Sequence, residues 1–451
     1  MPVATIVLAA GQGVRMNSEL PKVLHPLAGA PLLAHALRAA RALEPDRVVV
    51  VTGFGAERVA AAARGVEEQV LIAHQAEQLG TAHAVLQARA ALEGFAGDAI
   101  VLYGDTPFIR PETLHAMLDA RARGAAVVVL GFEAADPGGY GRLILAPGGG
   151  LEAIVEARDT SPTQRAITLC NSGVIAADAA TLFSLLAEVG NDNAKREYYL
   201  TDIVGLACTR GLTAAAITCP EAETLGVNSR ADLAAAEAAF QARARAAAME
   251  NGATLIDPAT VWFAHDTVIG RDVVIGPNVV FRPGVTVESG ATIHEFCHFE
   301  ACHISRGAEV GPFARLRPGA ELAEDVKIGN FVEVKNSIVE EGAKANHLAY
   351  IGDAHVGAKA NIGAGTIVCN YDGVFKHRTE IGARAFVGSN TALVAPVRIG
   401  DDALVGAGSV ITRDVPDGAL ALGRGRQEVR PGLGTKIMQR LRALKAGRAA
   451  E

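Results

Sequence analysis

The stretch "VIGRDVVIGPNVVFRPGVTVESGATI", Val268 to Ile293, decides the fold of half the chain. Ile269, Ile275, Phe281, Val287 and Ile293 recur in it every six residues. A period of six fits neither a helix nor an alternating strand. It is the hexapeptide signature of a parallel β-helix, where each coil repeats short flat strands and corners and the recurring apolar side chain points inward. The series reaches Phe299, restarts at Ile304, Val310, Leu316, Leu322, Ile328 and Val334, and returns at Ile381, Val387, Leu393, Ile399, Val405 and Ile411. Three hexapeptides close a coil, so about 160 residues predict about nine coils, a rod roughly 40 Å tall at ~4.8 Å per strand. Residues 335–350 and 370–380 interrupt the count. Insertions in a solenoid become loops on one face, so both are expected to be loops near a site.

Upstream lies "NSRADLAAAEAAFQARARAAAMENG". Ser229 with Asp232 resembles a capping box, and Asn251-Gly252 stops the pattern. This predicts a connecting helix over 229–250, with few large apolar residues to tie it to either side. The chain then divides into 1–228, 229–250 and 251–451. In the first part, apolar runs such as "TIVLAA", "DRVVVVTG" and "DAIVLYGD" alternate with helical stretches. That is the text of an open α/β sheet of parallel strands, which binds ligands beyond their carboxyl ends.

Composition bounds the rest. At 451 residues the chain is too long for one core. A net charge of −7 gives no reason to expect nucleic acid. No apolar run is long enough to span a membrane, and the first residues lack the basic start of a secretory signal, so a cytoplasmic protein is expected. Six scattered cysteines are then expected to be reduced. In "HEFCHFEACH", His294, Cys297, His298, Cys302 and His303 are either a zinc cluster or ordinary coil positions; their spacing matches no structural zinc pattern.

Two stretches of the first part carry chemistry. In "LAAGQGVRM", Gly11 and Gly13 let backbone approach a phosphate and Arg15 adds charge. There is no third glycine of a dinucleotide fingerprint and no P-loop lysine. "LPKVLH" places Lys22 after a stiff Pro21, and "YGD" ends a strand with Asp105 at the rim. An L-A-A-G-x-G-x-R-M run followed by P-K resembles the sugar-nucleotide pyrophosphorylases. With "HQAEQLGTAHA", "GGYGRL", "IVEARD" and "CNSGV", the chain resembles one family among them. These are the bacterial bifunctional N-acetylglucosamine-1-phosphate uridylyltransferase/glucosamine-1-phosphate acetyltransferases. The likeness continues through "PFARLRPGA", "GNFVEVKN", "KANHLAYIGDA", "NIGAGTIVCNYDG" and "FVGSNTALVAP", and so covers nearly the whole chain.

The resemblance implies a Rossmann-like α/β nucleotidyltransferase domain, a connecting helix and a left-handed β-helix of hexapeptide repeats. It implies a nucleotide site of Leu8, Ala9, Ala10, Gly11, Lys22, Gln75, Gly80, Thr81, Tyr103, Gly104 and Asp105. Gly141, Glu156 and Asn171 would hold the sugar, and Asp105 with Asn228 would hold Mg2+. No protein nucleophile is needed: a sugar phosphate attacks the α-phosphorus of UTP, while Lys22, Arg15 and the metal spread the charge. In the rod, His347 is the expected general base, because imidazole exchanges protons nearest neutral pH. Glu333 is expected to orient it, and a backbone N–H at Ala364 to face the oxyanion. Arg317 and Lys335 would meet the sugar phosphate, with Tyr350 and Asn361 beside it. Asn370, Tyr371, Ser389, Ala407 and Arg424 would line the acetyl-CoA groove. Near Arg424 the chain has Gly423 and Arg426 where the family more often has Ser and Pro, so Arg424 or Arg426 serves the coenzyme phosphates. The basic tail "KIMQRLRALKAGR" reads as a solvated helix or a coenzyme contact. Rods of this kind form homotrimers with shared sites, and the partners expected are small molecules only. Two other readings remain open: a single-activity nucleotidylyltransferase with a structural rod, and a zinc enzyme like the gamma carbonic anhydrases.

Overall fold

The computed structural model describes residues 1–193 and 195–448. They form two compact units, one of 1–244 with 263–265, the other of 245–262 and the residues from 266 on.

The first unit is built on a nine-stranded sheet. Its strands are Val3–Ala9 (β1), Arg47–Thr52 (β2), Leu71–His74 (β3), Asp98–Tyr103 (β4) and Val127–Glu133 (β5). Then come Arg142–Leu145 (β6), Leu151–Val155 (β7), Leu169–Asp178 (β8) and Ala214–Thr218 (β9). The order is β9-β5-β8-β4-β1-β2-β3, with β6 and β7 as a hairpin beside β8. The apolar runs are buried on both faces; Val49, Val50 and Val51 are all 0% exposed. Helices cover both sides, as the alternation predicts. The sheet is not parallel throughout, however. β8 runs antiparallel to β4 and β5. A parallel return needs a crossover helix, and between β5 and β8 the chain makes only the hairpin and a four-residue turn, Pro162–Arg165.

In the second unit, three stacked parallel sheets of ten, eight and eight strands wind a left-handed β-helix. The first face runs from Thr254–Leu255 to Leu420–Ala421, the second from Val268–Ile269 to Val397–Ile399, the third from Val280–Phe281 to Val410–Ile411. The hexad residues point inward: Ile275, Val287, Phe299, Ile304 and Leu316 are at most 1% exposed. Some coils take 18 residues, as Ile275 pairing with Ile293, and some 17, as Val287 pairing with Ile304. A 17-residue coil drops one corner residue, which is why the sequence changes phase.

That register corrects the reading of 335–350 as a loop. Val334 pairs with Ile351 and Ala345 with Ile362, and the segment forms strands Ser337–Val339, Lys344–His347 and Tyr350–Gly352. A shortened corner looks like an interruption when only the period is counted. The second interruption is a true insertion: Val368 pairs with Leu393, 25 residues on. The extra residues leave the coil between Ile367–Cys369 and Thr379–Ile381.

The connecting helix, Arg230–Glu250, is longer than a spacer's role requires and is not free of the first unit. Ala236 is buried and Leu233, Ala239 and Phe240 pack with Met16, Leu27, Leu32, Phe108 and Val227. Gln241 Nε2 donates to Phe263 O (2.7 Å), and Phe263 N donates back to its Oε1 (2.9 Å). Alanine gives the helix a flat side, and its two larger residues, Leu233 and Phe240, bind it together with Ala236 and Ala239. The basic tail forms a helix, Leu433–Arg448, with Leu433, Ile437, Met438, Leu441 and Leu444 exposed.

Candidate functional site

At the first site, the register Leu8–Tyr103 puts the loop after β1 beside the end of β4. Gly13 has a left-handed φ of 68°, and a Cβ there would stand 2.5 Å from that of Lys22. Its glycine therefore serves the close passage of Lys22 as well as any ligand. Pro21 leads into the turn Lys22–Leu24, which aims the ammonium inward. Lys22 Nζ is paired with Asp105 and donates to Asn228 Oδ1 at 3.0 Å. Val227 N donates to Asp105 O (2.9 Å), locking the two oxygen-bearing segments together. The two oxygens expected to hold a metal thus converge on one cation already. An oxygen-only donor set of this kind suits magnesium, which keeps its remaining positions for water and phosphate.

Around this point the other expected residues gather. Gln75 is 3% exposed and bonds Gly80 O and His83. Gly80, at φ 118°, has no room for a Cβ because Tyr198 O would lie 2.5 Å away. Thr81 Oγ1 accepts from Leu200 N (3.0 Å), so residues 198–200 clamp the 79–81 turn. Asn171 N donates to Gly141 O (2.8 Å), and Glu156 accepts from Thr201 (3.1 Å). Burial, then the Asp105 and Glu156 carboxylates, push the Tyr103 hydroxyl well above its usual range, so it stays a donor. Leu8, Ala9 and Ala10 line the sheet end, while Gly11 and Arg15 are exposed beyond it.

At the second site, His347 stands at the corner between the first and third faces. Its orienting partner is not Glu333. Asn330 Oδ1 accepts from its Nδ1 at 2.6 Å, leaving Nε2 as the nitrogen to take a proton. Glu333 is on the third face, where it pairs with Arg317 at 3.0 Å. Asn330 is opposite His347 on the preceding coil, a relation visible only once the 17-residue register is known.

Above His347 the same corner forms a file. Gly365 N donates to His347 O (3.3 Å), Asn390 N to Ala364 O (2.8 Å) and Gly408 N to Ser389 O (2.8 Å), and Arg424 Nη1 donates to Ala407 O (2.6 Å). His347, Ala364, Ser389, Ala407 and Arg424, spread over 78 positions of sequence, lie along one edge of the rod. At ~4.8 Å per coil the file spans about 15–20 Å.

The residues expected to meet the sugar phosphate lie across the third face. Arg317, Lys335 and Tyr350 sit on it, and Gly352 leaves space for the Tyr350 hydroxyl. Lys335 Nζ is 3.9 Å from Asp353, which also holds Asn336 (2.6 Å) and Asn370. Burial raises the Asp353 carboxyl, but the two amides and Lys335 outweigh it and leave it below its ordinary value. The inserted loop turns back on itself, with Tyr371 bridged to Lys376, and brings Lys376 against Lys335. The close side-chain contact with Lys335, and then its charge, lower the Lys376 pKa. Sequence reading missed Lys376, although a lone lysine in the inserted loop was a signal. Asn361 is not on this face: it is on the first, paired with Lys344 and Phe386.

The histidines and cysteines of 294–303 do not converge. Cys297 and Cys302 face the interior, His294 pairs with Glu309 and His303 with Glu288. Among the described residues no three of His, Cys, Asp and Glu are grouped to hold a metal ion, and no helix is long and apolar enough to cross a membrane.

A Rossmann-like α/β unit with a glycine loop at its strand ends and a hexapeptide rod define a two-part transferase. Residues 5–174 match the model of the MobA-like NTP transferase domain. Residues 266–300 match the bacterial transferase hexapeptide (six repeats), and 378–413 the hexapeptide repeat of succinyl-transferase. The chain is 65% identical to the bifunctional protein GlmU of Dinoroseobacter shibae, covering 100% of both. It is 64% identical to that of Ruegeria sp., again over 100% of both, and 65% identical to that of Cereibacter sphaeroides over 100% of this chain and 98% of the other. A solved UDP-glucose pyrophosphorylase complexed with UDP-glucose covers 54% of this chain at 18% identity and a TM-score of 0.42, a likeness that carries no argument. The chain belongs to the bifunctional GlmU family. It is a bifunctional enzyme of UDP-N-acetylglucosamine synthesis, with acetyltransferase and uridylyltransferase activities.

Proposed function

We propose that the rod acetylates glucosamine-1-phosphate from acetyl-CoA at His347, and that the α/β unit then joins the product to UMP at Lys22 and Asp105. The observation that carries this reading is the convergence of Asp105 and Asn228 oxygens on the Lys22 ammonium. Nucleotidyl transfer in this fold depends on a metal; we assign Mg2+ to Asp105 and Asn228. Bound there, it supplies charge neutralisation to the phosphates of UTP. Arg15 and Lys22 add to that charge, while Gln75, Gly80 and Thr81 hold the uracil and Gly141, Glu156 and Asn171 the sugar. Tyr103 and Gly104 close the pocket between them.

In the rod, Nε2 of His347 takes a proton from the attacking amine, and Asn330 keeps the ring turned for it. The Ala364 N–H faces the oxyanion formed on the thioester carbonyl. Arg317, Lys335 and Lys376 meet the sugar phosphate, and Tyr350 stacks beside the ring. Acetyl-CoA lies along the file from Ala364 through Ser389 and Ala407 to Arg424, with Asn370 and Tyr371 at its inner end. The place of Asn361 on a different face favours a site completed by a neighbouring rod, hence a homotrimer. Six free cysteines favour the cytoplasm.

The test supplies glucosamine-1-phosphate, acetyl-CoA, UTP and magnesium and follows free thiol and pyrophosphate separately. Thiol should appear first, and pyrophosphate only after it. Pyrophosphate released equally fast without acetyl-CoA would contradict the reading.

A further inference from the structure

We infer that Arg230 and His25 are positioning residues of the uridylyl site: a link from the Arg230 guanidinium to the buried His25 imidazole fixes the metal-binding loop to both phosphate-binding turns. Arg230 is two residues past Asn228, at the first position of its helix. Its Nε donates to Met16 O (3.3 Å), the last residue of the glycine loop's turn. Its Nη1 donates to His25 Nδ1 (3.2 Å), the end of the Lys22 turn. His25 is 2% exposed, its N–H bonds Lys22 O (3.2 Å) and its carbonyl accepts from Leu32 N (3.0 Å). One arginine therefore touches each of two segments that carry Arg15 and Lys22, while its own segment carries Asn228. Asp232 caps Asn228 N and Ser229 N (3.0 and 2.9 Å), so that segment has no slack of its own.

The ring's protonation agrees. A guanidinium only donates, so Nδ1 must accept and the proton sits on Nε2. Nε2 is buried and turned toward the Leu20 backbone, without a well-formed hydrogen bond to it. Burial and then the Arg230 charge outweigh the Leu20 backbone and hold this imidazole below its ordinary pKa, which keeps Nδ1 an acceptor. Groups one layer behind a metal or phosphate ligand commonly change its affinity 10- to 100-fold when removed.

This inference rests on the nucleotide and metal assignments above. The experiment compares the full-length protein with His25→Leu, His25→Asn and Arg230→Lys. UTP binding in magnesium is measured by titration calorimetry with no sugar phosphate present, alongside pyrophosphate and thiol release. His25→Leu and Arg230→Lys should weaken UTP binding and raise the magnesium requirement by about 10-fold or more. His25→Asn, whose amide oxygen takes the place of Nδ1, should recover most of the loss, and thiol release should be unchanged in all three. Wild-type binding in a folded Arg230→Lys protein would overturn the inference, as would His25→Asn no better than His25→Leu. If His25→Leu does not fold, the Arg230→Lys and His25→Asn comparison decides. If Asp105→Ala leaves pyrophosphate release intact, it is the underlying site assignment that fails instead.

Discussion

A single hydrogen bond bears on the proton chemistry proposed for the rod. Because Asn330 accepts from Nδ1 of His347, Nε2 is the basic nitrogen. Asn330→Ala should cut thiol release about 10- to 100-fold, as the ring loses its fixed tautomer, and leave pyrophosphate release from supplied N-acetylglucosamine-1-phosphate unchanged. Steady-state rates of both products on one preparation check this. Asp353 gives a second prediction. Its carboxylate holds Asn336 and Asn370, so Asp353→Ala leaves two amides unpaired and should cost about 1–3 kcal/mol. Its pKa is lowered in the folded state. The contribution is therefore fully present above the unfolded value, about 3.9, and is lost as pH falls through the lower folded value. Thermal unfolding of both proteins should differ by a constant amount at pH 5–7 and converge below about pH 4. A gap that widened on acidification would refute it.

At the scale of elements, the period of six was enough to give a three-faced coil, and apolar runs were enough to give the α/β sheet. What periodicity could not give was register. A one-residue change in a corner is invisible to a count of apolar positions, yet it decides that 335–350 stays in the coil and that Asn330 lies under His347. The file of Ala364, Ser389 and Ala407 was legible only as separate positions, since their alignment depends on the 25-residue step at the insertion. Glu333 and Asn361 show the same limit: their types fit the chemistry, but the face each occupies follows from register. The connecting helix was misjudged for another reason, since three contacts at helical spacing bind better than a composition rich in alanine suggests. An N-terminal piece ending at 228 loses Leu233, Ala236 and Phe240 from their cluster. It should be about 2–5 kcal/mol less stable than a piece ending at 250. Its melting temperature should fall by roughly 5–15 °C, and equal melting temperatures would show that the helix is a spacer after all.

The whole molecule joins two activities in one chain, and no residue proposed for one is proposed for the other. For the rod, the expectation is a site shared between copies. Lys335→Ala and Asn361→Ala should each abolish acetyl transfer, and their co-expression should restore part of it, because mixed trimers can assemble a site with both residues intact. No recovery in mixed oligomers would mean that each rod carries its own complete site. The central claim is that metal-assisted uridylyl transfer at Asp105 and base-assisted acetyl transfer at His347 are independent. The most direct measurement follows free thiol and pyrophosphate in Asp105→Ala and His347→Ala proteins, each given its own proper substrates. Asp105→Ala should lose pyrophosphate release by about 10²–10³-fold or more and keep thiol release, and His347→Ala should do the reverse. Loss of both products in either folded variant would contradict the account.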